Sequence, residues 1–330
     1  MIKYLGSKRL LLGAICDALG DASSVVDLFS GTSRVGHALK GRGVFVRAND
    51  HNAYAATLAG CYVAADADRV GDRAGRLIAE LDALPGEPGW FTETFCERSR
   101  FFRPENGARI DAVRARIASL DLDPELESVV LTSLMEAADR VDSTTGVQMA
   151  YLKSWAPRAN APLRMRTPDI LPGPGEAYRL EAEQAASDLD AEAVYIDPPY
   201  NQHSYLGNYH VWESLVTWDK PEVYGIACKR VDVRERKSPF NRRRESASAL
   251  ERVVEAVRAP RIVVSFSDEG WVSRAEVETM LAKKGEVTVT EIPYRRYVGA
   301  RIGIYDPAGV KVGKVGHVTN TEYLFVVDGR

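Results

Sequence analysis

The sequence predicts an α/β fold: a mostly parallel sheet whose two halves are separated by a helical insertion. Three observations lead there. Val25-Val26-Asp27-Leu28-Phe29 reads as a short buried strand, Ser30-Gly31-Thr32-Ser33 as a tight turn, Arg34 to Lys40 as a helix and Val44 to Asp50 as a second strand. That strand–turn–helix–strand order is a βαβ unit, which requires parallel pairing. From about residue 51 to 150 the strand signals fade, and helical patterns take over at 68–83, 105–119 and 124–142. The alternation then resumes with strands at 193–197 and 261–266 and helices near 181–189, 207–218 and 273–284.

The remaining segments fit around that frame. An amphipathic helix is expected over 8–19, ahead of the first strand. Leu84-Pro85-Gly86-Glu87-Pro88-Gly89 interrupts the insertion, and 156–176, rich in Pro, Arg and Gly, reads as an irregular surface segment. Glu286 to Ile292 and Glu322 to Val327 suggest antiparallel strands closing the sheet. The expected division is a catalytic unit from 1–50 and 177–330, and a mainly helical insertion over 51–176.

At 330 residues, 45% hydrophobic and 27% charged, the chain can bury a large core. Cys16, Cys61, Cys96 and Cys228 are scattered without CxxC spacing or a histidine cluster, so neither a zinc site nor a disulfide framework is expected. No apolar stretch approaches the ~18 residues of a membrane span, and the start lacks a signal peptide's apolar region. A soluble, cytoplasmic monomer is expected. Net charge is −3, yet residues 229–244 carry a local +6 from Lys229, Arg230, Arg234, Arg236, Lys237, Arg242, Arg243 and Arg244 against Asp232 and Glu235.

The most informative segment is Val194-Tyr195-Ile196-Asp197-Pro198-Pro199-Tyr200. An apolar strand delivers a carboxylate to the sheet edge, and two prolines prevent continuation as helix or ladder. A carboxylate, a carbonyl and a flat ring suit an exocyclic amine on a nucleobase. Such an amine is a poor nucleophile because its lone pair is delocalised into the ring. Acceptors on its hydrogens stabilise charge that develops mainly in the transition state. A purely structural Pro-Pro turn, with Asp197 as a cap, is the alternative.

The glycine turn is not G-x-G-x-x-G, since residue 29 is Phe and residue 34 is Arg. Asp27 would repel a pyrophosphate, but it suits a cationic amine such as the methionine half of S-adenosylmethionine. Asp50, 23 residues after Asp27, is spaced to accept from ribose hydroxyls. A strand-end acid or helix cap would have the same spacing.

Taken in order, Lys3-Tyr4-Leu5-Gly6-Ser7-Lys8, Asp27-Leu28-Phe29-Ser30-Gly31, Asp50 and Asp197-Pro198-Pro199-Tyr200 resemble the Dam-like, alpha-group adenine-specific (N6) DNA methyltransferases. Ser265 to Gly270 and Asn320 to Phe325 look similar to members as well. The resemblance implies a Rossmann-like S-adenosylmethionine-dependent methyltransferase sheet, with target recognition in the helical insertion. It implies that Tyr4, Lys8, Asp27, Phe29 and Gly31 hold the cofactor's methionine end and Asp50 its ribose. Asp197 and Pro198 would hold the amine beside Pro199, with Tyr200 stacked on the flipped base. The acid near the cofactor's adenine is expected at Glu181 or Glu183, and Glu183 is carried into the expected site.

Double-stranded DNA is the expected partner, with the 229–244 segment gripping phosphates. Lys153, Arg158, Arg164 and Arg166 with Tyr151 and Trp155 form a second basic set, and Arg295, Arg296 and Tyr297 a third. A restriction-modification or orphan role is expected, with a cognate endonuclease linked only genetically. RNA adenine or cytosine N4 is the alternative substrate, and a non-catalytic DNA-binding protein the more distant one. No residue that reads the DNA sequence is identifiable.

Overall fold

The computed structural model describes residues 1–295, 304–305, 311–313 and 319–329. Eleven strands are described: β1 (Ser24–Asp27), β2 (Phe45–Asn49), β3 (Glu176–Tyr178), β4 (Ala193–Ile196), β5 (Val223–Tyr224), β6 (Lys229–Arg230), β7 (Arg261–Ser267), β8 (Gly285–Arg295), β9 (Ile304–Tyr305), β10 (Lys311–Gly313) and β11 (Thr319–Gly329). Seven form one sheet in the order β3-β2-β1-β4-β7-β11-β8. Pairing is parallel from β3 through β7. β11 slots in antiparallel to both β7 and β8. So β8 runs with the rest of the sheet, and β11 alone is reversed, which refines the expected antiparallel closure.

The central strands are short, apolar and buried on both faces, as a sheet covered by helices requires. Val194 and Ile196 of β4 point into one core with Ile262 and Val264 of β7. Ala193 and Tyr195 point into the opposite core with Val25 and Val46. This period of two is the strand pleat itself. The chain leaves β1 in one direction, to β2 and β3, and returns to the other side at β4. The crevice beyond the carboxyl ends of β1 and β4 is therefore the topological switch point, where open α/β sheets bind ligands.

Residues 53–141 are largely helical and have their own core, centred on Phe91, Phe95, Phe101, Phe102 and Met135. Helix Ala67–Asp82 buries Val70, Ala74, Ile78 and Leu81, one face of a 3.6-residue period. Helix Pro124–Val141 starts where Asp123 caps Leu126 N–H and Pro124 takes the first helical position. Helix His210–Thr217, after the Asp197–Tyr200 turn, packs Val211, Trp212 and Leu215 into that same core. The helical region and the loop after β4 are thus held by shared packing.

The helix expected over 8–19 is two pieces. Lys8–Leu10 forms a 3₁₀ turn, and the α-helix begins at Leu12. The break turns Lys8 inward, leaving it 8% exposed. All four cysteines are free and buried. Among the described residues no cluster suited to a metal occurs, and no helix is long and apolar enough to cross a membrane.

Candidate active site

A cavity of about 970 Å³, counted to its open mouth, lies at the switch point. Its walls include Tyr4, Lys8, Asp27, Phe29, Gly31, Asp50, Glu181, Asp197 and Pro199. That size suits a nucleoside-sized ligand.

Asp27 ends β1 opposite Tyr195 of β4, two residues before Asp197. It is 1% exposed, and no side chain pairs with either carboxylate oxygen; only the backbone N–H groups of Gly36 and Phe29 lean toward it and oppose the rise in its pKa. Burial pushes its carboxyl up to about 8, and the nearby Asp197 and Asp50 carboxylates add to the rise. An orphaned buried acid is costly unless a ligand completes it. A cationic amine does so, which fits the methionine end of S-adenosylmethionine.

The glycine turn is built for close approach. Gly31 has φ +52°, and a Cβ there would meet the Tyr4 ring at 3.2 Å. Gly31 N–H donates to Asp50 Oδ2 at 3.1 Å, while Asn52 N–H donates to Asp50 Oδ1 at 2.9 Å. Asp50 therefore lines the cavity and also pins the turn. Asn49, which sequence reasoning missed, donates to Leu28 O and accepts from Leu180 N–H, tying β1 and β2 to the segment after β3. Only its place at a strand end could have drawn attention to it.

Tyr4 stacks on Tyr209 at 4.6 Å and on Tyr205 at 5.2 Å between ring centres, and its hydroxyl lies 3.1 Å from that of Tyr54. Phe29 meets Phe240 edge to face at 5.2 Å. Phe240 comes from the basic segment, so that segment closes one side of the cavity. Glu181 lines the cavity, with His51 Nδ1 3.6 Å from its carboxylate. Glu183 does not line it: its side chain is more than half exposed and pairs with Arg252 at 2.9 Å. Glu183 is the first residue of the helix proper that points away from the cavity, which corrects the expectation.

Asp197 follows β4 at the cavity floor with its side chain 19% exposed. Lys8 Nζ lies 2.9 Å from Asp197 Oδ1 and 2.6 Å from Glu322 Oε1. Lys8, expected against the cofactor, lines the cavity and also pairs with the Asp197 carboxylate. Burial pushes the Asp197 carboxyl up to about 6, with Lys8 opposing the rise and Glu322 adding to it. Burial works against the Lys8 charge, but the two carboxylates outweigh it and hold its ammonium well above the ordinary range. Pro198 is buried, and Pro199 lines the cavity.

The loop after Asp197 is held on two sides. Trp271 N–H donates to Tyr200 O at 3.1 Å, and the Tyr200 ring meets Phe266 edge to face at 6.0 Å. From the other side, Asn241 Nδ2 donates to Asn201 O at 2.8 Å and His203 O at 3.1 Å. Asn241→Ala should therefore lower kcat about tenfold while changing cofactor affinity much less, because loop placement is lost. Steady-state kinetics beside calorimetric cofactor binding measures this, and an unchanged kcat would deny Asn241 that role.

The basic segment divides. Arg230 is 4% exposed and bound to Asp219 at 2.7 Å and Asp232 at 3.0 Å. Arg236 lines the cavity and pairs with the fully buried Glu213 at 3.0 Å. Both are engaged by carboxylates, a correction caused by Asp219 and Glu213 from outside the charge run together with Asp232 within it. Arg234 lies over the Tyr224 ring at 3.8 Å. Lys237, Arg242, Arg243 and Arg244 are exposed and Lys229 half-buried. Arg242 also contacts Glu245 at 3.0 Å. In the second basic set, Arg100 and Arg103 lie over the Trp155 ring at 4.8 and 4.5 Å, and Arg158 is committed to Asp142 at 2.6 Å. Arg295 ends β8, while Arg296 and Tyr297 lie outside the described residues.

Residues 4–280 match the family of D12 class N6 adenine-specific DNA methyltransferases. The chain belongs to that family. It is 30% identical over 323 residues to the type II methyltransferase M.FokI of Planomicrobium okeanokoites, covering 90% of this chain and 50% of that protein. It is 28% identical over 314 residues to M.NlaIII of Neisseria lactamica, covering 90% and 92%. With M.CviAII of Paramecium bursaria Chlorella virus 1 it shares 26% over 346 residues, covering 99% and 98%. The chain thus spans about half the length of M.FokI and nearly all of the other two.

Proposed function

We propose that this chain transfers a methyl group from S-adenosylmethionine to the N6 amine of an adenine flipped out of double-stranded DNA. It does so as a modification enzyme of the restriction-modification or orphan kind. The observation that carries the reading is the pair of carboxylates, Asp27 and Asp197, ending adjacent strands at one cavity. One has no cationic or side-chain partner and suits a cationic amine, and the other is placed for an amine that must become a nucleophile. S-adenosylmethionine, when bound, supplies a methyl on a sulfonium.

The residues have separate tasks. Asp27 pairs with the cofactor's ammonium, Asp50 takes its ribose, and Tyr4, Phe29 and the Gly31 turn shape the walls around it. Glu181 replaces Glu183 as the acid nearest the cofactor's base. Asp197 Oδ2 and the Pro198 carbonyl accept the two N6 hydrogens while Tyr200 stacks on the ring. The amine lone pair would form the new N–C bond to the methyl group that a bound cofactor would supply, the electrons of the broken S–C bond leaving with the demethylated cofactor. The nitrogen then sheds one proton to Asp197, which returns it to water. The helical region within 51–176 carries target recognition.

Exposed Lys237, Arg243 and Arg244, with Arg242, contact phosphates beside the flipped base. Neutralising Arg242, Arg243 and Arg244 together should weaken DNA binding and reduce the salt slope by about two, since Arg242 is partly engaged by Glu245. Titrations at several salt concentrations measure this, and an unchanged slope would exclude the segment from the interface. The function itself is tested by tritiated methyl transfer to unmethylated DNA, RNA and oligonucleotides lacking adenine. Label in adenine of DNA is the expected result. Incorporation into RNA alone, or into cytosine, would overturn the substrate, and no incorporation anywhere would overturn the activity.

A further inference from the structure

We infer that Glu322, on the reversed strand β11, is a positioning residue that sets the basicity of Asp197 through Lys8. The inference rests on the role proposed above for Asp197. Glu322 is 2% exposed and lies in β11 beside Ser267 of β7. Its Oε1 accepts from Lys8 Nζ at 2.6 Å and from the buried Ser265 hydroxyl. The other face of the same ammonium reaches Asp197 Oδ1 at 2.9 Å. One cation therefore bridges two carboxylates, one buried in the sheet and one at the cavity floor.

The arrangement does two things for an amine-holding carboxylate. Lys8 occupies Asp197 Oδ1 and so leaves Oδ2 to face the amine. A lone buried ammonium at that distance would also depress the carboxylate and make it a weak acceptor. Glu322 neutralises Lys8 from behind, and the trio keeps one net negative charge. Asp197 thus remains ionised yet basic enough to take hydrogen from a nitrogen that is turning positive. Other groups facing Asp197 are Asp27 on β1, Tyr195 on β4 and Tyr205 on the helix Tyr205–Asn208. All are common to the Glu322 and Lys8 variants, so they do not separate those two; Ser265 also reaches the Tyr195 hydroxyl.

The experiment is the pH profile of kcat for methyl transfer to DNA, with cofactor binding and thermal unfolding recorded on the same proteins. Glu322→Gln removes a negative neighbour, so the acid limb should move about one pH unit lower and the plateau should fall about tenfold. Lys8→Met removes the positive neighbour, so the acid limb should move higher. Opposite displacement is the signature, because a purely structural role for Glu322 would lower the unfolding temperature and leave the limb in place. Limbs that coincide with wild type, or that move together, overturn the inference. If Glu322→Gln does not fold, Ser265→Ala is read instead. It removes one of the two donors to Glu322, strengthens its field and should move the limb up; an unmoved limb again overturns the inference. Failure of the proposed function is distinguishable, since the wild-type protein would then transfer no methyl group at any pH.

Discussion

Asp197→Ala should lower methyl transfer by about 10³-fold or more while leaving S-adenosylmethionine binding within a fewfold of wild type. Removing one preorganised group aimed at developing charge costs ~3–4 kcal/mol in comparable sites, which is a factor of several hundred. In the proposed reaction the same side chain also fixes the amine's direction, so the loss adds a positioning cost. The substitution is unusually clean for a buried acid. Lys8 keeps its 2.6 Å contact with Glu322, so no buried cation is left without a counterion. Asp27, the anchor proposed for the cofactor, is a separate side chain on a separate strand. Tritium transfer and calorimetric binding, run side by side, measure both halves. Turnover within tenfold of wild type would remove Asp197 from the mechanism. Loss of cofactor binding together with turnover would make it a wall of the cofactor site instead.

Features that depend on short-range chemistry were readable in the sequence. The strand ends at Asp27 and Asp197 are legible because an apolar run stops at a residue that cannot continue it. The helix over 124–141 is legible to within one residue because Asp123 and Pro124 mark its start. Features that depend on distant partners were not. Lys8 and Glu322 are 314 positions apart, and nothing in the segment that marks Lys8 as a site residue shows that it bridges two carboxylates. Only the 3₁₀ turn at Lys8–Leu10 turns it inward. The basic segment shows the same limit from the other side. Its eight cations look alike as a charge run, yet Asp219 and Glu213, which neutralise Arg230 and Arg236, lie outside it. Glu181 and Glu183 sit two positions apart, and the start of a helix decides which of them faces the cavity.

Asp27→Asn should abolish useful cofactor affinity, by about 30-fold or more, and at the same time make the empty protein more stable at pH 8. The first effect follows from removing the partner of a cationic amine in a desolvated site, where charge-assisted contacts are strong. The second follows from the same burial. The folded-state value of about 8 lies well above that of an unfolded Asp. A raised carboxyl contributes stability that is fully present below the unfolded value and is lost as pH climbs toward the folded one. At pH 8 the wild-type fold carries that loss in full, and Asn, which cannot ionise, avoids it. Relaxation and solvent entry trim the gain to an expected ~2–3 kcal/mol, or roughly 4–10 °C in Tm. Near pH 5 most of the advantage disappears, because the wild-type carboxyl is then largely protonated in the fold. The same linkage predicts that wild-type cofactor affinity rises from pH 6 to 8 and that binding at pH 7 releases a proton. Thermal melts at both pH values, with calorimetry in buffers of different ionisation enthalpy, test these together. A variant that binds the cofactor like wild type, or whose added stability is as large at pH 5 as at pH 8, would show that Asp27 is not the ammonium's acceptor.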